Sequence, residues 1–381
     1  MIAEILQSAG RRASHKPEPG FSDWLESWHI DIWLLILLLT VATVGMFIQY
    51  SASGHSIDGV ISQAQRIALG MVVMAAIAQA PPAMYRTVAP WLYGFTLLLL
   101  IATLVLGDAA KGAQRWLDLG VIRFQPSELM KLAMPTTVAA FLHTRRLPPR
   151  FGTIVLTLAI IGVPAALIAK QPDLGTALLI VAAGGFALFL GGLRWRWIVG
   201  ALALIGAAAP VLWTHLQDYQ RQRILTLLDP ESDPLGAGYH ITQSMIAIGS
   251  GGVFGKGWLH GTQAKLEFLP EAHTDFIFAV YSEEMGFIGV MVLLVLYLAI
   301  VGRCLYIAAR AQDTFQRLLA GSLGMTFFIY VFINIGMVIG LLPVVGVPLP
   351  LVSYGGTSAV SLLACFGMLM SVHTHRKLLA N

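Results

Sequence analysis

The sequence predicts an all-α polytopic membrane protein with about ten transmembrane helices. Of its 381 residues, 57% are hydrophobic and only 12% are charged, whereas a soluble domain carries about twice that share of charge. The mean hydropathy of +0.74 agrees with this class. Apolar stretches of about 20 residues, the length that crosses a bilayer as a helix, recur along the chain.

These stretches divide the chain into two tails and one membrane domain. Residues 1–30 are a polar tail in which SDWLESWHI favours a short membrane-surface helix, residues 31–374 form the membrane domain, and residues 375–381 are a second tail. Residues 215–273, between spans seven and eight, form one large structured loop, and loops of that length are usually functional. The predicted spans are 31–50, 63–80, 88–107, 126–143, 153–170, 175–191, 197–214, 274–302, 319–341 and 357–374.

The positive charges predict the sidedness of these segments. Most of the 24 Lys and Arg residues fall in the tails and in alternate connections, so the positive-inside rule places both termini in the cytoplasm and residues 215–273 outside. The pI near 9.1 therefore reflects topology and gives no support for nucleic acid as a partner. Cys304 and Cys365 lie in or beside apolar segments and form neither a disulfide framework nor a metal-binding spacing.

The strongest candidate for chemistry is Asp275, in the stretch KLEFLPEAHTDFIFAVYSEEMGFIG. It stands where a polar loop enters an apolar segment, and an ionisable group is costly to keep at a membrane boundary unless it has a function. On a continuous helix, Glu283 would flank the Asp275 face and Glu284 would point away from it. The rest of that face would be made of small residues, namely Ala279, Ser282, Gly286 and Gly289. The alternative role for Asp275 is to cap the eighth span.

A second candidate group lies in GAQRWLDLGVIRFQPSELMKLA. Pro126 predicts the start of a helix, since proline at an early position costs no hydrogen bond. Glu128 and Lys131 follow three residues apart and therefore face the same way. They are candidates for catalysis, and the alternative is an ion pair that holds the helix end. Arg115 and Trp116 are candidates for binding phosphate oxygens and a sugar or lipid face, respectively.

Further candidates lie in the other predicted outer connections. In KQPDLGTALL, Asp173 is either a helix N-cap or a positioning group for Lys170. The long loop contributes Arg221, Arg223 and Lys256 as candidate substrate-binding cations. The GGVFGKGW run around Lys256 lacks the spacing and the Ser or Thr of a P-loop. ITQSMIAIGSGGV is too short and too rich in glycine to span, so we expect it to be re-entrant or to lie at the interface.

The fourth stretch is GLLPVVGVPLPLVSYGGTSAV, residues 340–360. Its three prolines forbid a continuous helix, while Gly355 and Gly356 permit tight turns. Non-helical backbone at membrane depth is tolerated only where it lines a cavity or is buried in protein. Ser353 and Gly355 are therefore candidate substrate-binding residues.

The string that begins at Asn334, N-IGMVI-GLLPVVGVPLPLVSYGGTS, resembles the signature of the SEDS family (shape, elongation, division and sporulation). The blocks GAQRWLDLG, QPSELMK, QPDLGTAL, LGAGYHITQSMIAIGSGG, FGKGW and FLPEAHTDFIFAVYSEEMG resemble the same family in the same order. The resemblance covers the chain from about residue 30. It is closer to the elongation member of the family than to the division member.

The resemblance implies a ten-span polymerase of the bacterial inner membrane that joins lipid II units into glycan strands on the outer face. Its partners would be a class B penicillin-binding protein, which crosslinks the product, and other membrane proteins of the elongation complex. The family's essential aspartate falls on Asp275. Its other important residues fall on Trp116, Glu128, Lys131 and Glu283.

The chemistry of such a polymerase agrees with the residues present. The acceptor 4-hydroxyl must lose a proton as it attacks the donor anomeric carbon, and Asp275 is the candidate base, with a pKa that burial would raise. Inversion converts an α-linked donor into a β-1,4 product, and cations stabilise the leaving undecaprenyl pyrophosphate. A divalent cation, Mg²⁺ or Mn²⁺, can assist there, although no dedicated ligand cluster stands out. The alternatives are a lipid II flippase, a non-catalytic scaffold, and a secondary transporter, for which the sequence lacks an inverted repeat.

Overall fold

The computed structural model describes residues 28–106, 108–110, 113–118, 123–233, 236–265 and 272–375. Most of the predicted N-terminal tail and surface helix, and residues 376–381, lie outside the described residues. The helices and strands are, in chain order, α1 (Ile32–Ala52), α2 (Ile57–Ala78), α3 (Pro82–Leu106), β1 (Asp108–Ala110), β2 (Ala113–Asp118), β3 (Arg123–Phe124), α4 (Pro126–His143), α5 (Phe151–Lys170), α6 (Leu174–Leu190), α7 (Trp195–His215), α8 (Asp218–Leu228), α9 (Ala237–Ser250), α10 (Thr262–Lys265), α11 (Ile277–Ala309), α12 (Thr314–Val338) and α13 (Thr357–Thr374).

Each of the ten predicted spans coincides with one of these helices. Among the described residues, α1, α2, α3, α5, α11, α12 and α13 are long and apolar enough to cross a membrane, and α6 and most of α7 are shorter apolar helices. The remaining predicted span corresponds to α4, which carries Glu128 and Lys131. The chain is a multi-pass, helical membrane protein. Its second span begins earlier than predicted, because Ser56 caps α2 by accepting a 3.3 Å hydrogen bond from the Gly59 amide.

The start of α1 and the end of α13 meet at one end of the helical bundle, which we call the tail face. The tail face carries a charged cluster in which the Nη2 of Arg303 lies 2.6 Å from the Oδ2 of Asp31 and the Nε2 of His373 lies 3.3 Å from the same oxygen. Asp31 also caps α1 through the Leu34 amide. This cluster ties the start of α1 to α11 and to the end of α13. We call the opposite end, which among the described residues carries 108–110, 113–118, 123–125, 171–173, 216–233, 236–265, 272–276 and 339–356, the loop face.

A small antiparallel sheet, which the sequence did not predict, lies at the loop face. Its strand order is β1-β2-β3, with Asp108 opposite Trp116 and Leu117 opposite Phe124. The expected loop between α3 and α4 is therefore partly a β-meander. The strands are only two to six residues long, too short for a periodic pattern to predict them.

Helix α11 is interrupted at Gly286, whose φ of +64° is a conformation that favours glycine. Backbone groups on either side of the break pair with the Gly-rich turn after α9. The amides of Lys256 and Gly257 donate to the carbonyls of Glu283 and Glu284, each at 3.0 Å. The amide of Phe287 donates back to the Gly252 carbonyl at 2.9 Å. The expected re-entrant segment is thus helix α9 followed by a turn that satisfies the hydrogen bonds of the broken helix.

Candidate active site

A polar cavity of about 200 Å³ opens at the loop face. It lies between strand β2, the starts of α4, α6 and α13, the C-terminal half of α12 and the proline-rich segment 340–356, so elements distant in sequence build its wall. Its polar lining residues include Arg115, Trp116, Gln125, Glu128, Lys131, Asp173, Tyr330 and Ser358. Five predicted site residues are among these, and Gly355 also lines the cavity.

Glu128 and Lys131 form a buried ion pair in the first turns of α4. The Nζ of Lys131 donates a 2.7 Å hydrogen bond to Oε1 of Glu128. The second carboxylate oxygen accepts a 2.5 Å bond from the Ser361 hydroxyl on α13. Lys131 also lies 4.9 Å from the centre of the Tyr330 ring and 3.3 Å from its hydroxyl. The predicted ion pair and helix start at Pro126 are both confirmed, and the pair lies in the cavity wall.

Arg115 and Trp116 reach the cavity because β2 presents them from the sheet. The Nε of Arg115 donates to the Gln171 carbonyl at 3.2 Å, and its Nη2 donates to the Pro172 carbonyl. These bonds fasten the sheet to the turn between α5 and α6. The predicted N-cap role of the next residue, Asp173, is confirmed by the 3.2 Å bond from the Thr176 amide, and Asp173 also contributes to the cavity.

Asp275 lies in the turn before α11, next to the cavity wall. The Nδ2 of Asn334 on α12 donates to the Asp275 carbonyl at 2.9 Å and to the Val347 carbonyl at 2.7 Å. A Cβ placed on Gly346, which lines the cavity, would lie 3.4 Å from the Asp275 Oδ2. One side chain therefore holds the aspartate turn against the proline-rich segment.

The predicted helical face through Asp275 was wrong. Helix α11 begins only at Ile277, and its N-cap position is occupied by Phe276 without a side-chain cap, so Asp275 is not the cap either. The break at Gly286 further interrupts the expected row of small residues. Glu284 is buried and accepts a hydrogen bond from the Ser51 hydroxyl of α1.

Glu283 and Lys256 form a separate cluster that anchors the long loop. The carboxylate of Glu283 is buried and accepts hydrogen bonds from the Lys256 Nζ at 2.6 Å and from the Thr262 amide and hydroxyl at 2.8 Å each. The Gln263 amide approaches the same carboxylate at 3.2 Å. Lys256 also donates to the Thr262 hydroxyl at 2.9 Å. These two predicted site residues are bonded to each other and do not line the cavity.

The other predicted cations and Ser353 also lie away from the cavity lining. Arg221 donates to the carbonyls of Trp213 and Thr214 at the end of α7, which accounts for its position. Arg223 is half-buried on α8, and Lys170 is exposed at the end of α5. Ser353 is buried and structural, because its hydroxyl accepts a 2.7 Å bond from the Leu349 amide.

Sequence reasoning missed Tyr330 and Ser361 as site residues. Both lie within apolar spans, where a single Tyr or Ser is common and carries no distinguishing pattern. Only the packing of α12 and α13 against α4 brings them to Lys131 and Glu128. Among the described residues, no three His, Cys, Asp or Glu side chains come together as a metal site.

The fold and the cavity define a multi-pass membrane protein with a charged binding site near one end of its helical bundle. The family profile described as "Cell cycle protein" (FtsW/RodA/SpoVE) matches residues 26–378. The chain belongs to this family, the SEDS family.

Its relatives span nearly the whole chain. It is 53% identical over 363 residues to the peptidoglycan glycosyltransferase MrdB of Escherichia coli K12, covering 95% of this chain and 98% of MrdB. It is 33% identical to a probable peptidoglycan glycosyltransferase FtsW of Coxiella burnetii, covering 91% and 96% of the two chains.

Two solved structures share the fold. The crystal structure of the rod shape determining protein RodA of Thermus thermophilus superposes with a TM-score of 0.69 at 28% identity, covering 91% of this chain and 98% of RodA. A chain from a peptidoglycan synthase complex, in a structure described as showing coordination of polymerization and crosslinking, superposes with a TM-score of 0.80 at 31% identity, covering 91% and 98%.

Proposed function

We propose that this chain is a peptidoglycan glycosyltransferase that polymerises lipid II into β-1,4 glycan strands during cell elongation. The single observation that carries the proposal is the position of Asp275, whose carboxylate adjoins a cavity that also holds Arg115, Trp116 and Lys131. A carboxylate base, two cations and a flat apolar ring are the groups that a sugar-transfer reaction with a pyrophosphate leaving group requires. The similarity to MrdB supports the same activity.

Asp275 takes the proton from the 4-hydroxyl of the acceptor GlcNAc as that oxygen attacks the anomeric carbon of the donor MurNAc. The glycosidic bond to undecaprenyl pyrophosphate breaks in the same displacement, so the anomeric centre inverts. Arg115 is anchored by carbonyl oxygens and Lys131 by Glu128. Both cations are thereby held in place before negative charge develops on the leaving group, which is how electrostatic preorganisation lowers a barrier.

We further propose an orientation of the chain in the membrane and a partner protein. The distribution of Lys and Arg supports cytoplasmic termini and an inner-membrane protein whose loop face lies on the outer side. A class B penicillin-binding protein is the proposed partner, because a related chain is described within a peptidoglycan synthase complex. Residues 215–273 are proposed as the outer loop. Glu283 and Lys256 do not line the cavity. Their ion pair contributes by holding this loop against α11.

Polymerisation of purified lipid II by the full chain, with its cognate class B partner carrying a disabled active serine, tests the proposal. Wild type is expected to produce long glycan strands, and correctly folded Asp275→Asn and Asp275→Ala are expected to produce none. Asp218→Asn, which alters a fully exposed aspartate on α8, is the matched control and should retain activity. Strands made by the Asp275 variants at the wild-type rate would remove Asp275 as the base. Transfer of lipid II across liposomes without any polymer from wild type would favour the flippase instead.

A further inference from the structure

Arg66 is a charged residue inside a membrane span that the proposed mechanism does not use. It lies nine residues into α2, a helix long and apolar enough to cross the membrane, and thus about 13 Å along the helix axis from its start. Among the described residues it forms no ion pair. An ionisable side chain within an apolar span and without a counter-ion is by default a functional-site candidate.

The guanidinium of Arg66 has a defined position. Its Cζ lies 4.3 Å from the centre of the Tyr354 ring, a stacking distance at which the cation is attracted by the ring. Tyr354 is itself held, because its amide donates a 2.9 Å hydrogen bond to the His273 carbonyl. The rings of Tyr354 and His273 meet edge to face at 6.1 Å. The aromatic ring thus orients Arg66 but does not neutralise its charge.

Arg66 does not line the cavity, but it contacts the proline-rich segment that forms part of the cavity wall. Residues 346–348, Gly355 and Gly356 of the segment line the cavity, and Tyr354 contacts Arg66 on α2. The turn 273–275 contacts both parts, with His273 bonded to Tyr354 and Asp275 adjoining Gly346. The turn that carries Asp275 therefore contacts both the wall of the cavity with Arg115 and Lys131 and the tyrosine that holds Arg66.

The hydrogen bonding around Arg66 is incomplete. Its Nη1 is buried without a hydrogen-bond partner, and so is Oε1 of Gln63, one turn earlier on α2. The Nε2 of Gln63 donates to the Ser353 carbonyl at 3.0 Å and joins α2 to the proline-rich segment. Unsatisfied buried donors and acceptors carry a free-energy cost. A bound oxyanion would accept a hydrogen bond from Nη1 of Arg66 and so remove the part of that cost that the guanidinium carries.

We propose that Arg66, stacked on Tyr354, binds an oxyanion of the second of the two lipid-linked substrates that meet at Asp275, while the cavity holds the other. This inference rests on the proposed function, because polymerisation brings two anionic lipid-linked sugars to one base. A planar guanidinium suits either a phosphate of the pyrophosphate or a carboxylate of the stem peptide, since both offer two oxygens to its fork.

The first experiment measures initial polymerisation rates against lipid II concentration, with the full chain and its serine-disabled partner. Arg66→Ala is expected to raise KM about tenfold or more, the effect of losing a charge-assisted hydrogen bond, with kcat close to wild type. Arg66→Lys is expected to recover only part of the loss, because an ammonium keeps the charge and the ring contact but lacks the fork. The matched control is Arg145→Ala, which removes an arginine 5.1 Å from the Phe141 ring at the tail face and should leave KM unchanged.

A second arm identifies the source of the oxyanion. With lipid II whose stem peptide is shortened to remove its carboxylates, a persisting KM effect of Arg66→Ala assigns the site to pyrophosphate, and a vanished effect assigns it to the stem peptide. Either outcome supports the inference.

An unchanged KM in folded Arg66→Ala, or full recovery by Arg66→Lys, would overturn it even if wild type polymerises. Failure of wild type to polymerise would instead count against the proposed function. If Arg66→Ala does not fold, Tyr354→Leu, which removes the stacking ring, is expected to raise KM, and an unchanged KM there would overturn the inference.

Discussion

The side-chain amide of Asn334 lies 2.9 Å from the backbone carbonyl of Asp275 and donates a hydrogen bond to it. A second hydrogen bond from the same nitrogen reaches Val347, so Asn334 positions the proposed base against the wall of the cavity. Asn334 is fully buried on α12. Because it acts on the backbone of Asp275, it is a positioning residue whose effect must pass through the aspartate.

Replacement of Asn334 by alanine should lower kcat while the protein stays folded. Loss of both bonds frees the aspartate turn, and a small misplacement of a catalytic group costs about tenfold to a hundredfold in rate. The measurement is kcat for lipid II polymerisation, together with its pH profile, whose shape should be retained because the base is still Asp275. Ser244→Ala removes a comparable buried bond, from Ser244 Oγ to the Val338 carbonyl at 2.7 Å, and should leave kcat unchanged. A wild-type kcat in Asn334→Ala would contradict the positioning role.

Gly346→Ala should reduce activity more than Gly340→Ala. Both glycines lie in the proline-rich segment with a φ of +72°, so both substitutions impose similar backbone strain. Only the methyl group at 346 would approach the Asp275 carboxylate, at 3.4 Å, whereas the methyl group at 340 would meet Ile241. The comparison of kcat at equal thermal stability therefore isolates the contact with Asp275. Equal losses from the two substitutions would show that strain alone accounts for the effect.

Glu128 and Lys131 should show strong coupling in a double-mutant cycle. Removal of either partner leaves a buried charge without its counter-ion, which costs about 3–5 kcal/mol. The double variant Glu128→Gln/Lys131→Met leaves neither charge and should be more stable than at least one single variant. The free energies of unfolding in detergent measure this coupling, and additive losses would contradict it. All three variants should lose polymerisation, because Lys131 lines the cavity.

Glu283→Gln should release the long loop from the break in α11. The neutral amide keeps the size of the side chain but cannot accept the same charge-assisted bonds from Lys256 and Thr262, so the turn at 251–263 loses its anchor. Limited proteolysis should cut the variant faster between α9 and α11. The exposed Glu231→Gln is the control and should be cut at the wild-type rate. Lost polymerisation with unchanged protection of the loop would instead favour a direct catalytic role for Glu283.

Several features of the fold and the site could be predicted from the sequence alone. The apolar stretches predicted ten of the helices that the structure describes, because a helix that crosses lipid needs about 20 mostly apolar residues. Local chemistry predicted the helix start at Pro126, and it offered the cap at Asp173 and the ion pair of Glu128 with Lys131 as alternatives to functional roles, since each depends on neighbours within four residues. The prolines of segment 340–356 excluded a continuous helix, and no helix forms there before Thr357.

The other features depend on contacts between residues far apart in the chain. Lys256 and Glu283 were grouped with the binding cations and the catalytic acids, but packing across the break in α11 joins them to each other. Three contacts of the site form only because α4, α12, α13 and the turn before α11 converge. They join Tyr330 to Lys131, Ser361 to Glu128, and Asn334 to Asp275. A composition or a period records which face of a helix is apolar. It does not record which neighbouring helix that face will pack against. The packing of the helices decides which partners the buried polar groups have.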